Sequence, residues 1–175
     1  MSSACGVPNL SPAADGVANA RALQAAIDRH TLVEVTCRGV LNVSKPITVR
    51  SNTHLRFVEG AVLRKVVPSG GRPYAQVLIN RAALEPTSAA DENVVIEGLH
   101  LDANHVDAVV QDHPVPGLRG QLGFHNVRNL SLRRTRITNL GAIQFGIQVS
   151  SFDGLWIEHV AVSGKKDGVH LGRGR

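Results

Sequence analysis

The sequence predicts an all-β chain, a right-handed single-stranded parallel β-helix with a short N-terminal capping helix. Three observations carry that prediction. Three similar lines recur late in the chain at nearly constant intervals: Gly123-Phe124-His125-Asn126-Val127, Gly146-Ile147-Gln148-Val149-Ser150 and Gly168-Val169-His170-Leu171-Gly172. A second line runs between them at a similar interval, Asn129-Leu130-Ser131-Leu132 and then Gly154-Leu155-Trp156-Ile157, with Leu130 and Leu155 at like places. No helical pattern interrupts these units, and the residues that could form a core are aliphatic: 43% of the chain is hydrophobic but only 3% aromatic. A fixed period of roughly 20–50 residues marks stacked units that bury apolar side chains against their neighbours. Like positions then line up into long faces, a shape suited to a long polymer.

The elements follow in order within one domain, 1–175. Residues 1–14 read as an irregular lead-in. Residues 19–29 read as the capping helix, with Asn19 as N-cap, Leu23 and Ile27 on one face, and Arg29 and His30 at the end where positive charge suits the dipole. Residues 32–101 carry the first coils. Short alternating strands are predicted at 32–36, 40–43, 47–49, 55–58, 61–67, 77–79, 94–96 and 99–101, too closely spaced for helical crossovers. Residues 102–122, with Pro114, Pro116, Gly117 and Gly120, break the rhythm and read as an inserted loop of the kind that lines binding sites. Residues 123–175 return to regular coils. The last coil ends at Gly172-Arg173-Gly174-Arg175 without a capping element. A stacked fold needs its open end covered, so the chain is expected to be an N-terminal part, incomplete as given, or to associate with another copy through that end.

Composition narrows the function classes. No run of 18 apolar residues exists, so no membrane-spanning helix is expected. Residues 1–5 show no signal peptide, which leaves the compartment undecided. The net charge is +5 and the pI about 9.9, which favours anionic partners. Nucleic acid is disfavoured, because stacking aromatics and known binding motifs are lacking. The basic excess lies late, at Arg128, Arg133, Arg134, Arg136, Lys165, Lys166, Arg173 and Arg175. Cys5 and Cys37 read first as two unpaired thiols; a single disulfide holding the N-terminus is the alternative in a secreted protein.

The stretch from Asp15 to Asp28 resembles the helix that caps the β-helix in the pectin-lyase-like superfamily. Gly39-Val40-Leu41 and the run from Ser51 to Leu63 resemble the first coils of polygalacturonase-type glycoside hydrolases of family 28. The run from Asn93 to Asn104 is similar to that family's Ile-Asp-Gly coil, with Ala103 in place of glycine. Lys165-Lys166-Asp167-Gly168-Val169-His170-Leu171 resembles its Asn-Thr-Asp-Gly segment, with lysines in place of Asn and Thr. The family's later motifs, a double aspartate, a Gly-His-Gly and an Arg-x-Lys, would lie beyond Arg175. The resemblance implies inverting hydrolysis of glycosidic bonds in a polar or acidic polysaccharide, an extracellular location, and no cofactor. Two other classes share the fold: a non-catalytic polysaccharide-binding or tail-spike-like module, and a metal-assisted polysaccharide lyase that uses Ca²⁺ to neutralise a uronate and a Lys or Arg as base.

Asp167 is the catalytic candidate, because the resemblance places it among the carboxyl groups that protonate a leaving oxygen or activate water; the alternative is a turn aspartate before Gly168. His125, Gln148 and His170, at like places in three lines, are expected to stack outward as a polar row that meets sugar hydroxyls. Lys165 and Lys166 join them as substrate-binding candidates. Asp102, Asn104, His105, Asp107, Asp112 and His113 match no known ligand spacing, so no metal site is assigned. Arg133, Arg134 and Arg136 decorate a turn, and Trp156 is expected to face outward between Leu155 and Ile157.

Overall fold

The computed structural model of the chain describes residues 5–85, 87–108 and 112–174. Part of the lead-in (1–4), part of the inserted loop (109–111) and the basic Arg175 therefore lie outside the described residues. The chain is mostly β, and every strand pair among the described residues is parallel. The first helix, α1 (Gly16–Arg29), begins earlier than the sequence predicts. Its cap is Asp15, whose carboxylate accepts the N–H groups of Val17 and Ala18 at 2.8 Å. Asn19 is buried within the first turns, where its side chain accepts Ser11 N–H at 3.0 Å and donates to the Asn42 carbonyl at 3.1 Å. It clamps the lead-in instead of capping the helix. Gly16, Asn19, Ala20, Leu23, Ala26 and Ile27 form the buried face, spaced three and four apart as helical geometry requires.

Thirteen strands are described: β1 (Leu32–Val35), β2 (Gly39–Val43), β3 (Ile47–Val49), β4 (His54–Phe57), β5 (Ala61–Lys65), β6 (Leu78–Asn80), β7 (Asp91–Glu97), β8 (His100–Asp102), β9 (Leu122–Arg133), β10 (Arg136–Leu140), β11 (Ile147–Glu158), β12 (Ala161–Gly164) and β13 (Val169–Leu171). A short helix α2 (Arg81–Leu84), absent from the sequence reading, follows β6. The eight-stranded sheet runs β1-β4-β7-β9-β11-β13, with β6 pairing both β3 and β9. The five-stranded sheet runs β2-β5-β8-β10-β12. The chain passes back and forth between the two sheets, so each strand pairs with one a full circuit away.

The core is a set of aliphatic columns that cross the circuits. Val33, Leu55, Ile96, Leu132 and Ile157 lie in register, as do Ile47, Leu78, Leu122, Ile147 and Val169, and Leu41, Leu63, Leu101, Ile137 and Val162. Most of these side chains are fully buried, but Val169 is 41% exposed and neighbouring Leu171 48%. A corner of the chain is built from left-handed asparagines, Asn52, Asn93 and Asn129, at φ 62, 57 and 52°. The Asn93 amide donates to Asn52 Oδ1 and the Asn129 amide to Asn93 Oδ1, each at 3.2 Å. Gly154, at φ 74°, takes the same place in the next circuit.

Cys5 and Cys37 form a disulfide, which corrects the reading of two free thiols. Both cysteines belong to the buried core. Cys5 O also accepts Thr36 N–H at 2.9 Å, so the lead-in runs beside the end of β1.

Candidate functional site

The predicted row of His125, Gln148 and His170 does not exist. Gln148 pairs with His170 in the next circuit but with Gly123 in the previous one, and His125 lies opposite Ser150. Leu130 lies opposite Leu155, so the interval between the leucine lines is the true length of the circuit from β9 to β11. The first two glycine lines are two positions out of phase with it. A slip of two keeps every side chain on its own face, and the apolar pattern is therefore blind to it.

Gln148 is also buried, at 7% exposure. Its Nε2 donates to the Gly117 carbonyl at 3.0 Å and its Oε1 accepts Arg119 N–H. It grips the loop that lies over it instead of facing a ligand. Leu118 from that loop packs with Ile79 and Ala83 of β6 and α2, against half-buried Val115. Residues 112–121 thus form a wall standing on the outer face of the eight-stranded sheet.

The interior end of that wall is a buried polar hub. Lys65 is fully buried, because it lies in phase with Ala61 and Leu63 on the inward side of β5. Its ammonium donates to Ala75 O at 2.8 Å and to Gln121 Oε1 and Gln144 Oε1 at 3.0 Å, and lies 5.0 Å from the Tyr74 ring centroid. Gln144 in turn donates to Arg119 O at 3.1 Å and accepts Ala108 N–H at 2.9 Å. Burial pulls the Lys65 pKa down to about 7, partly opposed by nearby Asp107. Asp107 itself accepts the N–H groups of Ile143 and Gln144 at 3.2 and 3.1 Å. Loop and 143–144 turn are thereby locked to the first coils, which sets the position of Phe145.

Phe145 is the centre of the cluster that the fold assembles from the sequence candidates. Its ring stacks on His170, with centroids 4.4 Å apart and planes 10° from parallel. The Lys166 ammonium lies 5.1 Å from the Phe145 centroid. Lys166 Nζ is 3.8 Å from Asp167 Oδ2, and the Asp167 side chain is 71% exposed. The Asp167 carbonyl accepts Gly146 N–H at 3.2 Å, which places Asp167 beside Phe145 across the circuit, with no carboxylate opposite it. Lys165 is exposed nearby, its N–H donating to Leu140 O at 3.0 Å. Four residues therefore converge: Phe145, Lys166, Asp167 and His170. His125 and Gln148 stand apart from them. Phe145 was missed as a site residue; its signal was its rarity, one of 4 phenylalanines in the chain, placed at a turn.

Of the loop candidates, Asp102, Asn104 and Asp107 make structural contacts. Asp102 accepts from Arg64 and Asn139 at 2.8 Å and from Asn104 N–H at 2.9 Å. Burial raises its pKa, but these hydrogen bonds outweigh burial and hold it below the ordinary aspartate value. Among the described residues, no three His, Cys, Asp or Glu side chains converge as metal ligands do. Arg134 pairs with Glu97, and Arg133 donates to Ser131 Oγ at 2.8 Å. Trp156 faces outward, 56% exposed.

No known family model matches the chain. No curated protein matches it either. Solved structures do. A protein of Parabacteroides merdae described as a putative glycosyl hydrolase superimposes with TM-score 0.55 over 98% of this chain and 92% of its own, at 15% identity. The surface protein and adhesin PfbA of Streptococcus pneumoniae superimposes with TM-score 0.61 over 93% of this chain and 40% of its own, also at 15% identity. At that identity the likeness is one of fold: a chain of parallel sheets shared with proteins of both kinds.

Proposed function

We propose that the chain is a right-handed single-stranded parallel β-helix of the pectin-lyase-like, polygalacturonase type, and that it binds a polar or acidic polysaccharide on the outer face of its eight-stranded sheet. The observation that carries this reading is the platform of Phe145 and His170 beside the Lys166 ammonium. A flat aromatic surface takes the apolar face of a sugar ring, and an adjacent cation takes a carboxylate or sulfate carried by that sugar. The wall of residues 112–121 borders the same face. Binding is tested by titrating oligo-uronates and neutral oligosaccharides of equal length. Phe145→Ala is expected to weaken both about tenfold, the loss of one stacking contact of roughly 1.5 kcal/mol. Lys166→Met is expected to remove the preference for the acidic ligand. Unchanged affinity in Phe145→Ala would remove the platform from the reading.

A second reading, hydrolysis of the bound glycan, rests on the resemblance of Asp167-Gly168-Val169 to the catalytic segment of the polygalacturonase type. Inverting hydrolysis needs two carboxyl groups about 6.5–9.5 Å apart, and the residue facing Asp167 is Phe145. The partner carboxyl is therefore not supplied from the β11 side. New reducing ends released from a uronate polymer, and their loss in Asp167→Asn, would establish it. Turnover undiminished by that substitution would leave binding alone, and an unsaturated product would point to elimination with Lys165 or Lys166 as base.

A further inference from the structure

A serine hydroxyl and an imidazole meet on the outer face of the eight-stranded sheet, apart from the Phe145 platform. His125 of β9 lies directly across from Ser150 of β11, and His125 Nδ1 is 2.9 Å from Ser150 Oγ. Asn80 holds the backbone of His125 at both polar groups. The His125 N–H donates to Asn80 Oδ1 at 2.9 Å, and the His125 carbonyl accepts from Asn80 Nδ2 at 2.7 Å. Asn80 is fully buried and donates to the buried Asp91 carboxylate at 2.8 Å, which also accepts Ala82 N–H at 2.7 Å and Ser51 N–H at 3.2 Å. The imidazole is thus carried by a buried frame instead of a free surface loop.

Two neighbours shape the space around the pair. The loop wall contributes His113, which is buried; its Nδ1 accepts Val115 N–H at 3.0 Å and its Nε2 has no hydrogen-bond partner among the described residues. Burial first, and His113 second, hold His125 below the ordinary histidine pKa, which favours the neutral ring. On the other side, a Cβ at Gly172 would stand 3.0 Å from Ser150 Cβ. The missing side chain leaves the serine uncovered on that side.

A hydroxyl within hydrogen-bond reach of an imidazole, on a residue whose backbone is fixed by a further group, supplies the nucleophile and base that acyl transfer uses. We propose that Ser150 and His125 form a catalytic dyad that hydrolyses O-acyl esters, the alcohol of the ester being a sugar hydroxyl. Ser150 Oγ forms a bond to the acyl carbon as its proton passes to His125 Nδ1. The bond from the acyl carbon to the sugar oxygen breaks, and that oxygen leaves with the proton from the imidazolium. Water then adds to the acyl-serine, losing its proton to Nδ1; the acyl–Oγ bond breaks and Oγ recovers the proton. The net change is ester plus water to acid plus alcohol, with no other reactant. Asn80 is a positioning residue. Only the choice of a sugar as the alcohol rests on the glycan reading.

The dyad is tested without any glycan. The full chain is treated with a fluorophosphonate, the adduct is located by mass spectrometry, and p-nitrophenyl acetate turnover is followed. Labelling is expected at Ser150, absent in Ser150→Ala. His125→Gln keeps a hydrogen-bonding side chain but loses the base, and is expected to slow both labelling and turnover by about 10²–10⁴-fold. Circular dichroism of each variant confirms that it folds, and Ser150→Cys, which restores a nucleophile, is expected to regain alkylation that depends on His125. No adduct, an adduct elsewhere, or rates unaffected by His125→Gln would overturn the proposal. If the small ester is cleaved but an acetylated uronate polymer is not, the dyad stands and the sugar assignment falls.

Discussion

Lys65 shows how a single residue can be read from its phase. A lysine at the third inward position of an alternating strand must be buried, and a buried ammonium survives only if it is well supplied with acceptors. Three oxygens and the Tyr74 ring supply it. Its pKa near 7 in the fold, against about 10.4 in the unfolded chain, sets the sign of a pH effect. Between those values the unfolded chain holds more protons, so the contribution of Lys65 to stability rises as pH rises. Tyr74, whose pKa burial raises, acts in the opposite direction and only above about pH 10, where the unfolded chain loses its phenolic proton first and stability falls as pH rises. Thermal melts from pH 6 to 10 should therefore show wild type gaining on Lys65→Met as the pH passes 7. Parallel melting curves for the two proteins would contradict the assignment. Gln148 teaches the converse: its type suited a sugar contact, but its partners are loop backbone atoms brought in from Gly117 and Arg119, more than a full circuit earlier in the chain.

Among the elements, the asparagine corner explains why lines beginning with Asn recur in this chain. Each asparagine takes a left-handed conformation that other side chains enter at a cost of about 1–2 kcal/mol, and each links to the next circuit through its amide. Asn93→Ala loses both advantages, whereas Asn93→Gly keeps the conformational one. Urea denaturation should find the alanine variant destabilised by roughly 1–2 kcal/mol more than the glycine variant. Equal losses would show that the amide ladder alone matters. The helix shows the same logic of competition. Asp15 and Asn19 are both acceptable caps, and the choice fell to Asp15 because Asn19 is needed by the lead-in and β2. The inserted loop was visible from its prolines and glycines, but its seat on Ile79, Ala83 and Gln148 was not, since nothing local in residues 112–121 specifies what lies beneath them.

For the whole molecule, α1 and the lead-in cover the first circuit, and the Cys5–Cys37 bond ties that cover to the stack across a sequence separation of 32. Closing a loop of that length should stabilise by about 3–4 kcal/mol through the unfolded chain. Denaturation midpoints with and without reductant, and in a Cys5→Ser, Cys37→Ser double variant, should reveal a loss of that order, with the β signal of the later circuits the last to disappear. A reduced protein as stable as the oxidised one would mean that the aliphatic columns hold the lead-in unaided.

The sequence by itself determined the β class, the N-terminal helix and the outward direction of Trp156. These follow from local alternation and from helical spacing, which depend on near neighbours alone. It also marked Lys166, Asp167 and His170 as candidates, through a resemblance confined to one short stretch. Only the tertiary structure decided the register between β9 and β11, the buried roles of Gln148 and Lys65, the disulfide, and the meetings of Phe145 with His170 and of His125 with Ser150. Those depend on which residue of one circuit faces which residue of the next. A shift by two positions leaves the inside–outside pattern intact, so only packing of the loop and the corners selects among the registers.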